Sequence, residues 1–259
     1  RANLDEMPGH PASLESLEEL LVARRGYEEL AEVLEAQAAR VEPERAGALW
    51  ARVAGLAEGP LDDVDRAVEA HRKVVEIDPE KVASLDALAR IHRERGEAAA
   101  ASRWLERRLA VAGEDERADL AMELGKALVD AGRADRAAEV LEKALADAPA
   151  RQDLRDLLAE QYRALEAWEP LAGVLTASAE HAEDQETVLA LVREAADLYR
   201  DALKRPAEAI PVLRKGAGLA PDDRAIKLQL AEGLQEAGEL DEARALLTEV
   251  VDAFGRRRS

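Results

Sequence analysis

Internal repetition limits what this chain can fold into more than any other feature. Trp168 follows Tyr27 by 141 residues, while Ala209 follows Ala67, Pro221 follows Pro79 and Gly238 follows Gly96 by 142 each. A chain that recurs at a fixed period is built from units that bury an apolar face only by stacking on a neighbour. The first three units and the last three read as copies of one block, and a fourth unit completes the first copy. A length of 259 residues, which would suit one or two closed cores, is therefore read as one array.

The units are helical. Val41-Glu42-Pro43, Ile77-Asp78-Pro79, Asp147-Ala148-Pro149 and Leu219-Ala220-Pro221 each end a helical stretch on proline, which lacks the N–H and restricts the residue before it. Apolar residues make up 47% of the chain and aromatic ones only 3%, the apolar set being chiefly Ala, Leu and Val. Ala and Leu, like Glu and Arg, favour helix. No run alternates with period 2 as a strand would. No apolar stretch approaches the roughly 20 residues that cross a bilayer.

The clearest unit runs from Ala118 to Pro149. Leu124-Gly125 is followed by Leu128, the turn residue Gly132, then Ala137, Leu141, Ala144 and Leu145 at helical spacing. Small residues at Gly125 and Ala137 let two helices cross closely, and Gly132 permits the tight turn between them. This pattern resembles the tetratricopeptide repeat, with its Leu-Gly pair, bulky residue, turn Gly, small-bulky-small positions and closing Pro. The resemblance implies an all-α fold, an α-solenoid of about seven helix-turn-helix units wound into a right-handed superhelix.

In the family's frame, a short extension (residues 1–10) precedes units at 11–44, 45–80, 82–116, 117–150, 151–184, 186–221 and 222–255, and a basic tail covers 256–259. The third and seventh units match well through Gly96 and Gly238. The first and fifth lack the turn Gly and open their second helix with Tyr27 or Trp168. The second and sixth carry one extra residue in the turn. Pro211, Gly216 and Gly218 predict a kink or hinge in the second helix of the sixth unit. The start at Arg1 and a last unit without a polar cap suggest a fragment of a longer protein.

Several chemistries lack their residues. With no Cys there is no disulfide, thiolate metal site or cysteine nucleophile, although this does not fix the compartment; a cytoplasmic location is the expectation. His10, His71, His92 and His181 show no metal-binding helical spacing; His71 and His92 could approach each other, but no third ligand is apparent. Phosphate-loop, dinucleotide and nucleophile-elbow motifs are absent, so neither an enzyme nor a cofactor is expected. Asp62-Asp63-Val64-Asp65 and Pro221-Asp222-Asp223 precede helices and read as caps. The formal net charge of −19 disfavours nucleic acid and anionic membranes and suits a basic or neutral protein partner.

The resemblance also implies a concave groove lined by the first helix of each unit. Mapped onto this chain, it presents Asp86, Arg90 and Arg93, then Asp119, Met122 and Lys126, then Asp156, Glu160 and Arg163. Arg193, Asp197 and Arg200 join them if the sixth frame is right. Arg90, Arg93, Lys126 and Arg163 could bond acidic groups of a ligand or pair with neighbouring acids such as Asp86 and Glu94. Family members that grip a C-terminal carboxylate use groove Asn and Lys, and the sole Asn here, Asn3, lies outside every repeat.

Arg103, Trp104 and Arg107 form a second candidate surface, with Trp104 either a contact or a cover for the seam between units. Trp50, Trp168, Tyr27, Tyr162, Tyr199 and Phe254 read as packing residues. The leading expectation is a scaffold or adaptor that holds a peptide or folded protein in the groove. A recruiting or sensory segment of a larger enzyme or regulator, and a structural spacer, stay open. Ala- and Arg-rich usage suits a bacterial genome. Bacterial relatives often serve secretion, pilus or motility assemblies, and a small GTPase is an equally open partner.

Overall fold

The computed structural model describes residues 2–255, with side chains from Leu4 to Asp252. The side chain of Phe254 and the basic tail at 256–259 lie outside the described residues. Every regular element among the described residues is helical.

The chain divides into two compact units, Arg1–Gly132 and Arg133–Ser259. The first holds α1 (Ala2–Glu6), α2 (Pro11–Ala23), α3 (Tyr27–Ala38), α4 (Pro43–Glu58), α5 (Val64–Ile77), α6 (Val82–Glu94), α7 (Ala98–Ala110) and α8 (Glu114–Asp130). From α3 to α8 each helix packs on the next. Leu21, Leu30, Leu34 and Val53 interlock α2, α3 and α4, and Ala67, Val75, Leu85 and Leu88 interlock α5 and α6. Each of these leucines is at most 1% exposed, and burying one contributes about 2 kcal/mol. Leu4 of α1 joins the first cluster, so the N-terminal extension supplies a core residue.

The second compact unit holds α9 (Ala134–Asp147), α10 (Gln152–Ala164), α11 (Trp168–His181), α12 (Gln185–Asp197), α13 (Ile210–Leu219), α14 (Arg224–Glu236) and α15 (Leu240–Gly255). Again each helix packs on the next. Between α12 and α13 come a π turn, Leu198–Ala202, and a 3-10 turn, Pro206–Ala209.

The 141–142-residue repetition is written into the backbone. The bounds of α10 lie 141 residues after those of α2, and those of α14 lie 142 after those of α6. The turns follow the same rule. Arg25 and Glu166, Asp62 and Lys204, and Gly96 and Gly238 are pairs of left-handed residues at equivalent places, and Gly9 and Gly132 are left-handed without such a counterpart. Glycine adopts this conformation freely, whereas a residue with a Cβ loses about 1–2 kcal/mol. The turns without Gly therefore carry strain at Arg25, Asp62, Glu166 and Lys204.

Two expectations need correction. α3 ends at Ala38, so Pro43 opens α4 in its first turn instead of closing the helix before it. Pro211 likewise lies in the first turn of α13, where its missing N–H is harmless, so it is no interior kink. The irregularity of that stretch lies upstream, in the π and 3-10 turns.

Candidate partner-binding cleft

Leu85, Leu88, Ala89, Ile91 and His92 bury one side of α6. Asp86, Arg90 and Arg93 recur at four- and three-residue spacing, so they form a stripe facing away from that core. On α8, Ala121, Leu124, Gly125 and Leu128 face inward, and an acidic first turn leads to Asp119 and Glu123. The two polar stripes and α7 enclose a cleft of about 630 Å³. Asp86, Arg90 and Arg93 line it from α6, Leu105 and Arg108 from α7, and Asp115, Glu116, Asp119 and Glu123 from α8.

Arg108 forms the polar floor. It is only 5% exposed, and its Nε donates to Asp86 Oδ1 at 2.8 Å and its Nη2 to Glu116 Oε2 at 2.6 Å. Its Nη1 is buried without a partner. The Glu116 bond, helped by Asp86, holds the guanidinium above its ordinary value although burial works the other way. One buried arginine thus ties α7 to both walls.

The basic residues predicted to bind are mostly engaged within the protein. Arg90 reaches Glu58 of α4 and also Glu94, the latter at 3.2 Å. Arg93 meets Glu123 of α8 at 3.4 Å, and Arg163 of α10 donates to Glu194 of α12 at 2.8 Å. Arg193 of α12 continues the series by pairing with Asp223 before α14. These pairs stitch alternate helices together; Asp86 serves Arg108 and not Arg90. Lys126 is exposed, and no ion pair holds it among the described residues. Arg200 is paired with Asp197 and Asp201. Met122 requires correction as a groove residue. It is 8% exposed, because it lies on the apolar stripe shared by Ala121 and Gly125.

At the second candidate surface, Trp104 is half-buried and packs against the cluster containing Val68, Val75 and Leu85. The Arg107 guanidinium stands 5.0 Å from its ring centre. Arg103 is exposed and lines a separate hollow with Gly96, Glu97 and Asp130. The tryptophan thus covers a seam, and the neighbouring arginines lie outside it.

A polar relay links three helices of the first compact unit. His71 Nδ1 lies 3.1 Å from Ser84 Oγ, and its Nε2 lies 2.7 Å from Glu58 Oε1. Burial raises the Glu58 carboxyl, but the His71 bond and the Arg90 charge outweigh it and leave the group below the ordinary glutamate range. The order serine–histidine–glutamate is that of a hydrolytic triad, yet Ser84 is 3% exposed and its oxygen cannot meet a substrate carbonyl. His92 turns to Glu97 at 2.5 Å, so the two histidines do not share a partner. No group of three potential metal ligands occurs among the described residues.

Sequence reasoning missed Arg108, although a signal was present. It falls three residues after the core residue Leu105 and therefore on the same helical face. Arg155 was missed for the same reason. It lies three residues before the buried Leu158, is 4% exposed, and donates to Gln152 Oε1 at 3.0 Å and to the Pro149 carbonyl.

Two profiles described as Tetratricopeptide repeat match the chain, one over residues 84–119 and the other over 202–257. The first covers the α6 wall from residue 84, the floor and the start of the α8 wall. No curated protein matches. Among solved structures, YrrB, described as a TPR protein with an unusual peptide-binding site, is 17% identical with a TM-score of 0.43, covering 69% of this chain and 88% of its own. A tetratricopeptide repeat protein from Parabacteroides merdae is 15% identical at a TM-score of 0.42, covering 93% of this chain and 92% of its own. A MamA structure, MSR-1, is 23% identical at 0.35, covering 68% and 98%. With TM-scores below 0.5, these likenesses decide nothing about the partner.

Proposed function

Given that this chain is a tetratricopeptide-repeat protein and so an interaction scaffold, we propose that it holds a basic or neutral segment of a partner protein in the cleft walled by α6 and α8. The observation that carries this reading is the charge inventory. Asp86, Asp115, Glu116, Asp119 and Glu123 outnumber Arg90, Arg93 and Arg108, and all three arginines already bond acids of the protein. An acidic ligand would have to displace those internal partners. A basic side chain instead meets surplus carboxylate, in keeping with the net charge of −19.

In this reading Asp86 and Arg108 shape the floor, Arg90 and Arg93 fix the wall, and Asp115 and Asp119 face the incoming segment. Lys126 and Arg163 lie outside the cleft lining. The test is affinity capture by the chain, identification of the retained protein by mass spectrometry, and repetition with Asp115→Asn/Asp119→Asn. Both side chains are exposed on α8, and the variant's melting temperature checks that it stays folded. Capture should weaken in the variant and with rising salt. Unchanged capture by a folded variant would place the partner elsewhere.

A further inference from the structure

The polar relay of the first compact unit has an apolar counterpart 142 residues on. His71, 8% exposed, corresponds to Leu213 and Ser84 to Ile226, and both of these are at most 1% exposed. Glu58 corresponds to Arg200 and Arg90 to Glu232, so the signs of that pair are reversed. α13 and α14 pack on each other as α5 and α6 do, with Leu213 and Ile226 in the core. Such a helix pair can thus be built without a histidine, whose burial is costly unless its ring nitrogens are bonded.

The partners assign the ring's hydrogen. Glu58, held below the ordinary glutamate range, is ionised and only accepts, so Nε2 carries the hydrogen and donates to it. In the neutral ring Nδ1 is then the acceptor, and the Ser84 hydroxyl donates to it. A proton added at Nδ1 reverses that one bond. Nδ1–H donates to Ser84 Oγ, the hydroxyl turns its hydrogen away, and no heavy atom has to move. The relay therefore accommodates an imidazolium where it stands.

What changes is the charge around Glu58. Its Oε1 faces His71 and its Oε2 faces Arg90, which also reaches Glu94 at 3.2 Å. A charged ring places two cations on one carboxylate, and each weakens the other's hold. Arg90 has Glu94 to turn to, whereas the ring is fixed by burial. Other charges facing α5 are engaged elsewhere: Glu28 and Glu35 of α3 by Arg66, Asp65 by Arg95, and His92 of α6 by Glu97.

We propose that His71 is a proton-operated control on Arg90, the arginine of the cleft wall. A proton taken from solvent onto Nδ1 commits Glu58 to the ring and frees Arg90 towards Glu94 or an acidic group in the cleft. Conversely, a group that draws Arg90 off Glu58 drives proton uptake at His71, because the two effects are one linkage. This holds whatever segment the cleft receives, so it does not depend on the function proposed for it.

Arg90→Gln imitates the departure of Arg90 and needs no ligand. Melting temperatures of the whole chain are followed by circular dichroism at pH 8 and pH 5.5, in the parent and in a His71→Leu/Ser84→Ile background that copies Leu213 and Ile226. A histidine that holds its proton more tightly in the folded chain adds stability in acid and loses it as pH rises. The loss caused by Arg90→Gln should therefore be about twofold smaller at pH 5.5 than at pH 8. In the apolar background the loss should be the same at both. Arg93→Gln, which removes the Glu123 pair from the same wall, should lose equally at both in either background.

If the background variant does not fold, the ring is read directly by NMR. The imidazole carbon signals of His71 at pH 6 should show a larger doubly protonated fraction in Arg90→Gln than in the parent. A loss independent of pH in the parent, a pH dependence that survives His71→Leu/Ser84→Ile, or an unchanged ring population in Arg90→Gln would each overturn the proposal.

Discussion

The pair α6–α7 and the pair α14–α15 are the same piece of architecture met twice. The bounds of α6 and α14 agree to the residue at 142 apart, α7 and α15 start at equivalent places, and Gly96 and Gly238 make the two turns with the same left-handed conformation. Their burial differs widely, as Leu105 and Leu247 show. Local sequence determines where each helix begins and turns, whereas the neighbour determines how much of its face leaves water. The two pairs also begin differently. Lys81 precedes α6 without capping it, whereas the Asp223 carboxylate accepts from the Ala225 and Ile226 N–H groups at the start of α14.

The largest expected difference is between Leu105→Ala and Leu247→Ala. The first should destabilise the chain by about 2–5 kcal/mol through cavity formation and the second by less than about 1 kcal/mol, measured by urea unfolding. Equal losses would mean that α15 is covered in solution. Next comes Gly233→Ala, expected to lose about 1–3 kcal/mol by overpacking. An added Cβ there would stand 2.7 Å from the Pro206 carbonyl oxygen, while the equivalent place on α6 holds the buried Ile91. Loss of α14 protection in hydrogen exchange would locate the damage.

Gly96→Ala and Gly238→Ala should each lower stability by about 1–2 kcal/mol, because an added Cβ meets nothing and only the left-handed backbone is penalised. Matching shifts in melting temperature would show that the contrast between the pairs is one of packing alone. The smallest effect concerns acid. The Arg193 bond, against burial and helped by the Ile226 and Ala225 N–H groups, holds the Asp223 carboxyl below its ordinary value. A depressed folded-state value means the stabilisation is complete above the unfolded pKa of about 4 and lost as pH falls through the folded one. Asp223→Asn should cost about 1 kcal/mol at pH 7 and flatten the decline of melting temperature between pH 5 and pH 2, in a thermal series followed by circular dichroism.

Much of the fold was legible because punctuation and periodicity are local. Pro79, Pro149 and Pro221 stand just beyond α5, α9 and α13, as a helix stop requires. Pro43 and Pro211 were misread because proline is equally at home in a helix's first turn, and its type alone does not say which side of it the helix lies on. The π turn at Leu198–Ala202 had only a spacing anomaly to announce it, and an extra residue can be absorbed in several ways.

The cleft was half legible. Asp86, Arg90 and Arg93 emerged from their place on α6, and all three line it. Arg108 was hidden by its charge, since an arginine beside the solvent-facing Arg103 and Arg107 gives no local sign of its own burial. Its pairing depends on Asp86 and Glu116, 22 residues before it and 8 after it, which only packing brings together. Met122 went the other way: a numbered position from a resemblance was preferred to the apolar stripe running through that helix.

The stitching of helix to helix by Arg90–Glu58, Arg93–Glu123, Arg163–Glu194 and Arg193–Asp223 makes these side chains a shared resource. An acidic visitor that captures Arg90 leaves Glu58 of α4 with His71 alone, so occupancy and the bond between neighbouring helices compete for the same guanidinium. Such recognition is exchange and not addition. Its free energy is the difference between two similar ion pairs, so discrimination falls to geometry, and each docking event loosens one rung between helices.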